Sequence, residues 1–129
     1  MPRPPVRLLL CAVVALVLAG CSGGGEATEP TSVGTPDETG VLRVTGTDTL
    51  RWDPAALEAP AGEITFELTC EERVNHNLVV EVDGERTMVA ECGPGDTAEG
   101  TLDLDPGEYP FVCTIPGHEA SMRGTLTVD

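Results

Sequence analysis

The sequence predicts an all-β protein, a Greek-key β-sandwich or barrel of about seven to eight strands. Three observations carry this. Short runs of β-branched, aromatic and aliphatic residues recur, separated by Gly, Pro and Asp turn signals. Within them apolar and polar residues alternate, most clearly in Glu63-Ile-Thr-Phe-Glu-Leu-Thr, which sets Ile64, Phe66 and Leu68 on one face. No amphipathic helix of useful length and no internal repeat is present.

The first twenty residues read as an export signal. Arg3 and Arg7 make a short basic region, Leu8 to Ala19 an apolar run, and Leu18-Ala19-Gly20 a small-residue cleavage site. The run is too short and too N-terminal for a transmembrane helix. Leu-Ala-Gly-Cys resembles the lipobox of bacterial lipoproteins, which implies lipidation of Cys21 and a lipid-anchored, extracytoplasmic chain at the outer face of the cytoplasmic membrane or in the periplasm. Residues 21–40 are Gly, Ser, Thr, Pro and Glu with almost nothing apolar, so they read as a flexible tether. Residues 41–129 then form one domain.

Within the domain, Val41 to Thr45 is the first expected strand. Asp53-Pro-Ala-Ala-Leu suggests one helical turn, with Asp53 as N-cap and Pro54 at the first helical position. The alternating run from Glu63 follows. Leu78 to Val82 and Thr87 to Ala90 flank Asp83-Gly84, a hairpin turn signal. Thr101 to Leu104 ends at Asp105-Pro-Gly, and Tyr109 to Cys113 and Gly124 to Val128 complete the set.

Charge narrows the partners. The chain carries 22 acidic and 7 basic residues, all of the latter Arg. Loss of Arg3 and Arg7 with the signal would leave a net charge of about −17. Nucleic acid is excluded as a natural partner, because it selects for positive charge. A protein partner with a basic docking patch would be attracted, and acidity also favours solubility outside the cell.

The chemistry lies near the C-terminus. Cys113, His118 and Met122 fall within ten residues and offer a thiolate, an imidazole and a thioether. The turn Ile115-Pro116-Gly117-His118 returns His118 toward Cys113, with Pro setting φ and Gly supplying φ > 0. The only other histidine is His76. Two His, one Cys and a weak Met form the ligand set of a mononuclear blue-copper electron-transfer site. Singly, each residue reads as an ordinary surface His, core Met or buried Cys; together, with Pro-Gly between Cys and His, they read as a site. Zinc fits less well, because Met is a poor zinc ligand. A dinuclear copper site would need a second bridging Cys, which the loop lacks.

Five cysteines occur. With Cys11 in the signal, Cys21 lipidated and Cys113 a ligand, Cys70 and Cys92 remain. A disulfide is the expected use outside the cytoplasm, with a second soft-metal site the alternative.

The C-terminal stretch resembles the type 1 copper motif of the cupredoxins, with Gly107, Tyr109, Phe111, Cys113, Pro116, His118 and Met122 at the family's spacing. The loop is similar in length to that of azurin, His76-Asn77 resembles the family's upstream His-Asn, and the likeness spans nearly all of residues 41–129. It implies one type 1 copper held by His76, Cys113, His118 and Met122, with the Asn77 amide bracing the loop at Thr114. It further implies a monomeric carrier of single electrons between redox partners, with His118 as electron port in an apolar patch of Ile115, Pro116 and Ala120. Two departures stand out: Cys70-Glu71-Glu72 where Asn-Gly-like residues are common, and Asn75 where azurin has Gly. A copper carrier or buffer delivering metal to an oxidase would use the same ligands. An enzyme is not expected, since copper oxidases and nitrite reductases need further His ligands and both histidines are already assigned.

Overall fold

A computed structural model describes residues 32–129. The signal segment, Cys21 and most of the expected tether lie outside the described residues. Among the described residues ten strands are present: β1 Val33–Gly34, β2 Val41–Gly46, β3 Trp52–Asp53, β4 Ala56–Ala59, β5 Gly62–Cys70, β6 His76–Val82, β7 Glu85–Cys92, β8 Thr97–Leu104, β9 Gly107–Val112 and β10 Arg123–Val128. They form a six-stranded sheet, β1-β4-β10-β9-β6-β7, and a four-stranded sheet, β3-β2-β5-β8. This is the all-β sandwich that the alternation predicts. The strands beyond the expected number are β1, β3 and β4, too short to show a period of their own.

The sheets face each other through alternate side chains. Along β5, Ile64, Phe66, Leu68 and Cys70 are buried while the residues between them are not. They meet Leu42 and Val44 of β2, Leu57 of β4, Leu78 and Val80 of β6, Phe111 of β9 and Leu126 of β10 in one core. The outer face of the four-stranded sheet is acidic: Glu63 stands opposite Asp103, and Glu67 opposite Glu99. Arg43 of β2 pairs with Glu67, which relieves part of that like-charge repulsion.

The strand β6 is buried on both faces. His76, Asn77, Leu78, Val79 and Val80 are all inaccessible. Leu78 and Val80 belong to the core between the sheets, whereas Val79 does not. Val79 pairs with Val112 of β9, which is likewise fully buried and likewise outside that core. These side chains therefore define an outer row of β6, a row covered rather than exposed.

Three sequence expectations change. Asp53 does not cap a helical turn. Ala56–Ala59 is instead a strand parallel to β10, and Leu57 and Ala59 are buried by it; sheet pairing overrides a local capping signal. The first residues of the expected tether's C-terminal part are also ordered: Val33–Gly34 pairs with β4. The strand β8 starts at Thr97 rather than Thr101 and pairs with β5 along its length. Its polar start hides a packing constraint. A Cβ on Gly100 would overlap the carbonyl of Val89 in β7, so the sheets come together there backbone to backbone. The Asp83-Gly84 turn is as expected, with φ of 51° and 81°, the left-handed pair of a tight hairpin.

The Gly100→Ala variant is expected to lose about 1–3 kcal/mol of unfolding free energy through overpacking. Urea denaturation measures this; an unchanged midpoint would mean that β7 and β8 are not in contact at this corner.

Candidate metal centre

Antiparallel pairing of β6 with β9 sets the start of β6 beside the end of β9. His76 is the first residue of β6 and Cys113 the first after β9. Each arrives at the same end of the sandwich from a different part of the chain.

The His76 ring is fully buried. A side chain on Gly46, at the end of β2, would overlap the imidazole, so glycine there makes its room. The next residue fixes the tautomer. His76 Nε2 lies 3.1 Å from the Thr47 carbonyl oxygen. A carbonyl only accepts, so Nε2 carries the proton and Nδ1 keeps a free lone pair. That Nδ1 is buried with no hydrogen-bond partner. Such atoms are rare because a lost partner costs about 1–3 kcal/mol. Burial, and next the neighbouring His118, pushes the His76 pKa below its ordinary value. The neutral ring that binds metal is thus the form the fold favours.

Cys113 is a free, buried thiol. Its backbone N–H donates to the Met122 carbonyl at 3.2 Å, closing the ligand loop at its base. In the loop, the His118 N–H donates to the Ile115 carbonyl at 3.0 Å, and Gly117 has φ of +87°. This is the Pro-Gly turn read from the sequence, with Gly in the position that needs positive φ. It places His118 Nδ1 3.6 Å from Cys113 Sγ. The His118 carbonyl then accepts from the Ser121 and Met122 N–H groups at 3.1 and 3.0 Å, a second turn that leads to Met122. The Met122 side chain is fully buried.

The donor atoms of His76, Cys113 and His118 all lie within 4.8 Å of one another. The two imidazole rings are 5.2 Å apart, centre to centre. An orphaned imidazole nitrogen, a second imidazole and a buried thiol at one point, with the buried Met122 where the same loop closes, fit a soft, mononuclear transition metal, and copper above others.

Three further features brace the site. The Asn77 carboxamide accepts from the Thr114 N–H at 2.7 Å, and its Nδ2 donates to the Thr114 hydroxyl at 2.9 Å. Cys70 and Cys92 form a disulfide. Cys92 stands directly opposite His76 in the β6–β7 register, and Cys70 Sγ is 4.0 Å from the His76 carbonyl oxygen. Trp52 packs its ring 6.3 Å from that of His76 and 5.6 Å from that of Phe111. At the surface, His118 and Ile115 are half-buried and Pro116 and Ala120 exposed.

Sequence reasoning did not find Gly46, Thr47 or Trp52. Their roles depend on contacts across 24 to 30 positions, which leave no local pattern. Nor did it find that Glu119, the residue after His118, is held by Arg86 and Arg123, contacts that lower the Glu119 pKa, the Arg86 hydrogen bond foremost.

Comparison with known proteins agrees with this geometry. The model of the copper-binding proteins of the plastocyanin/azurin family matches residues 39–129. Among solved structures, auracyanin A, a "blue" copper protein from the green thermophilic photosynthetic bacterium Chloroflexus aurantiacus, superposes with a TM-score of 0.60 at 21% identity, covering 69% of this chain and 98% of that one. Auracyanin B gives 0.60 at 22% identity, over 69% and 88% of the two chains. An azurin from the obligate methylotroph Methylomonas sp. strain J gives 0.57 at 20%, over 69% and 97%. Outer membrane protein H.8 of Neisseria meningitidis serogroup B is 51% identical over 39 residues, 28% of this chain and 21% of that protein. The chain thus spans about a fifth of that relative's length.

The lowered His76 pKa fixes the sign of a pH effect on the metal-free protein. In the unfolded chain His76 takes up a proton near its ordinary value of 6.5, whereas the folded state resists it to lower pH. Stability should therefore fall as pH drops below 6.5 and level off only below the folded pKa. Urea midpoints of the metal-free protein from pH 7.5 to 5.5 measure this, and His76→Gln should flatten the slope. An equal slope in the variant would place the titration elsewhere.

Proposed function

The chain belongs to the plastocyanin/azurin family of copper-binding proteins, with His76, Cys113, His118 and Met122 arranged as its type 1 copper site, and we propose that it carries single electrons between redox partners outside the cytoplasm. The observation that carries this reading is the orphaned Nδ1 of His76, within 4.8 Å of the Cys113 and His118 donors. When bound, copper supplies the one-electron couple between Cu(I) and Cu(II). The protein's part is to hold the ligands still. The Thr47 carbonyl orients His76, Asn77 holds the residue after Cys113, and the buried setting excludes water from the thiolate. Ligands fixed by the fold rearrange little when the charge of the site changes, which favours fast transfer. Partly exposed His118, beside Pro116 and Ala120, offers an edge through which a docked partner can exchange electrons.

The exported location rests on the leader-like N-terminus, on Cys21 as a lipidation site and on the Cys70–Cys92 disulfide, which belongs in an oxidising compartment. The resemblance to a protein named for the outer membrane supports it too. In this reading residues 1–20 are removed, Cys21 carries lipid and the following segment keeps residues 41–129 near a membrane. The acidic excess, with Glu63, Glu67, Glu99 and Asp103 on one sheet face, favours a partner that bears a basic patch.

Two rates decide between this reading and a copper carrier. In the copper-loaded protein, electron self-exchange should outrun copper transfer to a metal-free acceptor by orders of magnitude. Oxidation of the reduced form by a basic redox protein should slow as salt rises. Copper transfer faster than self-exchange would favour delivery of metal. A salt-independent oxidation rate would remove the electrostatic part.

A further inference from the structure

The ligand loop is fastened to the β6–β7 hairpin at two separate points, one on the outer row of β6 and one on β7. Asn77, Val79 and Glu81 alternate along that row. At one end Thr114, the residue after Cys113, is bound by Asn77. At the other end Glu119, the residue after His118, meets Arg86 of β7. Arg86 Nη2 donates to Glu119 Oε1 at 2.6 Å and Nη1 to Oε2 at 3.3 Å, a two-pronged contact. Arg86 is itself held, because its Nε donates to Glu81 at 3.2 Å and Glu81 stands directly opposite it in the β6–β7 register. Arg123, at the start of β10, adds a third donor to the carboxylate, reaching Oε1 at 3.0 Å.

We propose that Arg86 is a positioning residue for His118: through Glu119 it pins the far end of the ligand loop to the β6–β7 hairpin and so keeps the imidazole at the site whether or not metal is bound. This rests on His118 being a copper ligand. The chain before His118 is tight but local, a Pro-Gly turn closed by one bond to Ile115. That turn sets its own shape and not its place on the sheet. Glu119 supplies the place, because its carboxylate reaches Arg86 near the turn of the β6–β7 hairpin, away from the end where Asn77 holds Thr114. A lone ion pair at a surface contributes little, since solvent screens it and ordering two side chains is costly. A carboxylate shared by two guanidiniums, one engaging both oxygens and anchored in turn by Glu81, is the networked geometry that escapes this rule. The two-pronged contact also requires the guanidinium fork, which lysine lacks.

The test compares Arg86→Met, Arg86→Lys and Glu119→Gln in the whole protein. In the metal-free form, relaxation-dispersion NMR of the His118 and Glu119 amides should show exchange in Arg86→Met that is absent from the parent. In the copper-loaded form, copper loss to excess chelator at low ionic strength should speed by about three- to tenfold. Arg86→Lys should restore part of this, and the Arg86→Met, Glu119→Gln double variant should be no worse than the more affected single one. The urea midpoint should move little. Unchanged loop dynamics with copper loss within about twofold of the parent would overturn the proposal. So would a lowered urea midpoint with a quiet native loop, which would make the contact merely structural. Should the parent bind no copper, the ligand reading fails by itself, while the metal-free dynamics still decide the role of Arg86.

Discussion

Two register pairs, Val79 with Val112 and Val80 with Phe111, are the constraint on which the rest depends. They are the pairing of β6 with β9, and they join residues more than thirty positions apart. Because the strands run antiparallel, moving back along β6 from Val79 and forward along β9 from Val112 leads to the same end of the sheet. His76 lies three residues back and Cys113 one residue forward. Alternation then separates the jobs. Val80 and Phe111 face the core between the sheets, while Val79 and Val112 face outward and are buried there. A slip of one residue would exchange these faces and carry His76 away from Cys113. The hydrophobic pattern of the two strands is therefore also the specification of the metal centre.

Around that pairing the protein prepares a nitrogen for a partner it does not itself provide. Gly46 clears space for the ring, Thr47 takes the proton-bearing side, and burial keeps the ring neutral. The unpaired Nδ1 is a local cost of folding, and an incoming metal offsets it. The Cys70–Cys92 disulfide closes the end of β7 against the end of β5, beside the His76 backbone. The ligands thus arrive by two routes. His76 is set by the sheets, and Cys113, His118 and Met122 are set by one loop whose ends are bound to those sheets.

The loop ligands were legible in the sequence because the information is local. Cys113, Pro116, Gly117, His118 and Met122 lie within ten positions, and the Pro-Gly turn has one natural shape. His76 was legible for a different reason, as the only remaining histidine. Strong alternation made β5 plain, and Asp83-Gly84 marked the β6–β7 hairpin. The misread segments share a cause. Asp53-Pro54 carries a genuine capping signal, but Leu57 and Ala59 bury more apolar surface as a strand beside β10. The start of β8 looks like loop because its inward positions are Ala98 and Gly100, small where β7 crosses closely. Gly46, Thr47, Arg86 and Glu119 owe their roles to distant neighbours, which no window along the chain contains.

The central claim is that these four side chains hold one copper in a type 1 site. Cu(II) titration of the protein, followed by visible absorption and EPR, tests it most directly. The account predicts saturation at one copper per chain and an intense blue or green thiolate-to-copper band, bleached by reductant and absent from Cys113→Ala. A colourless or weakly absorbing complex would contradict it and would remove Met122, and His76 with it, from the ligand set.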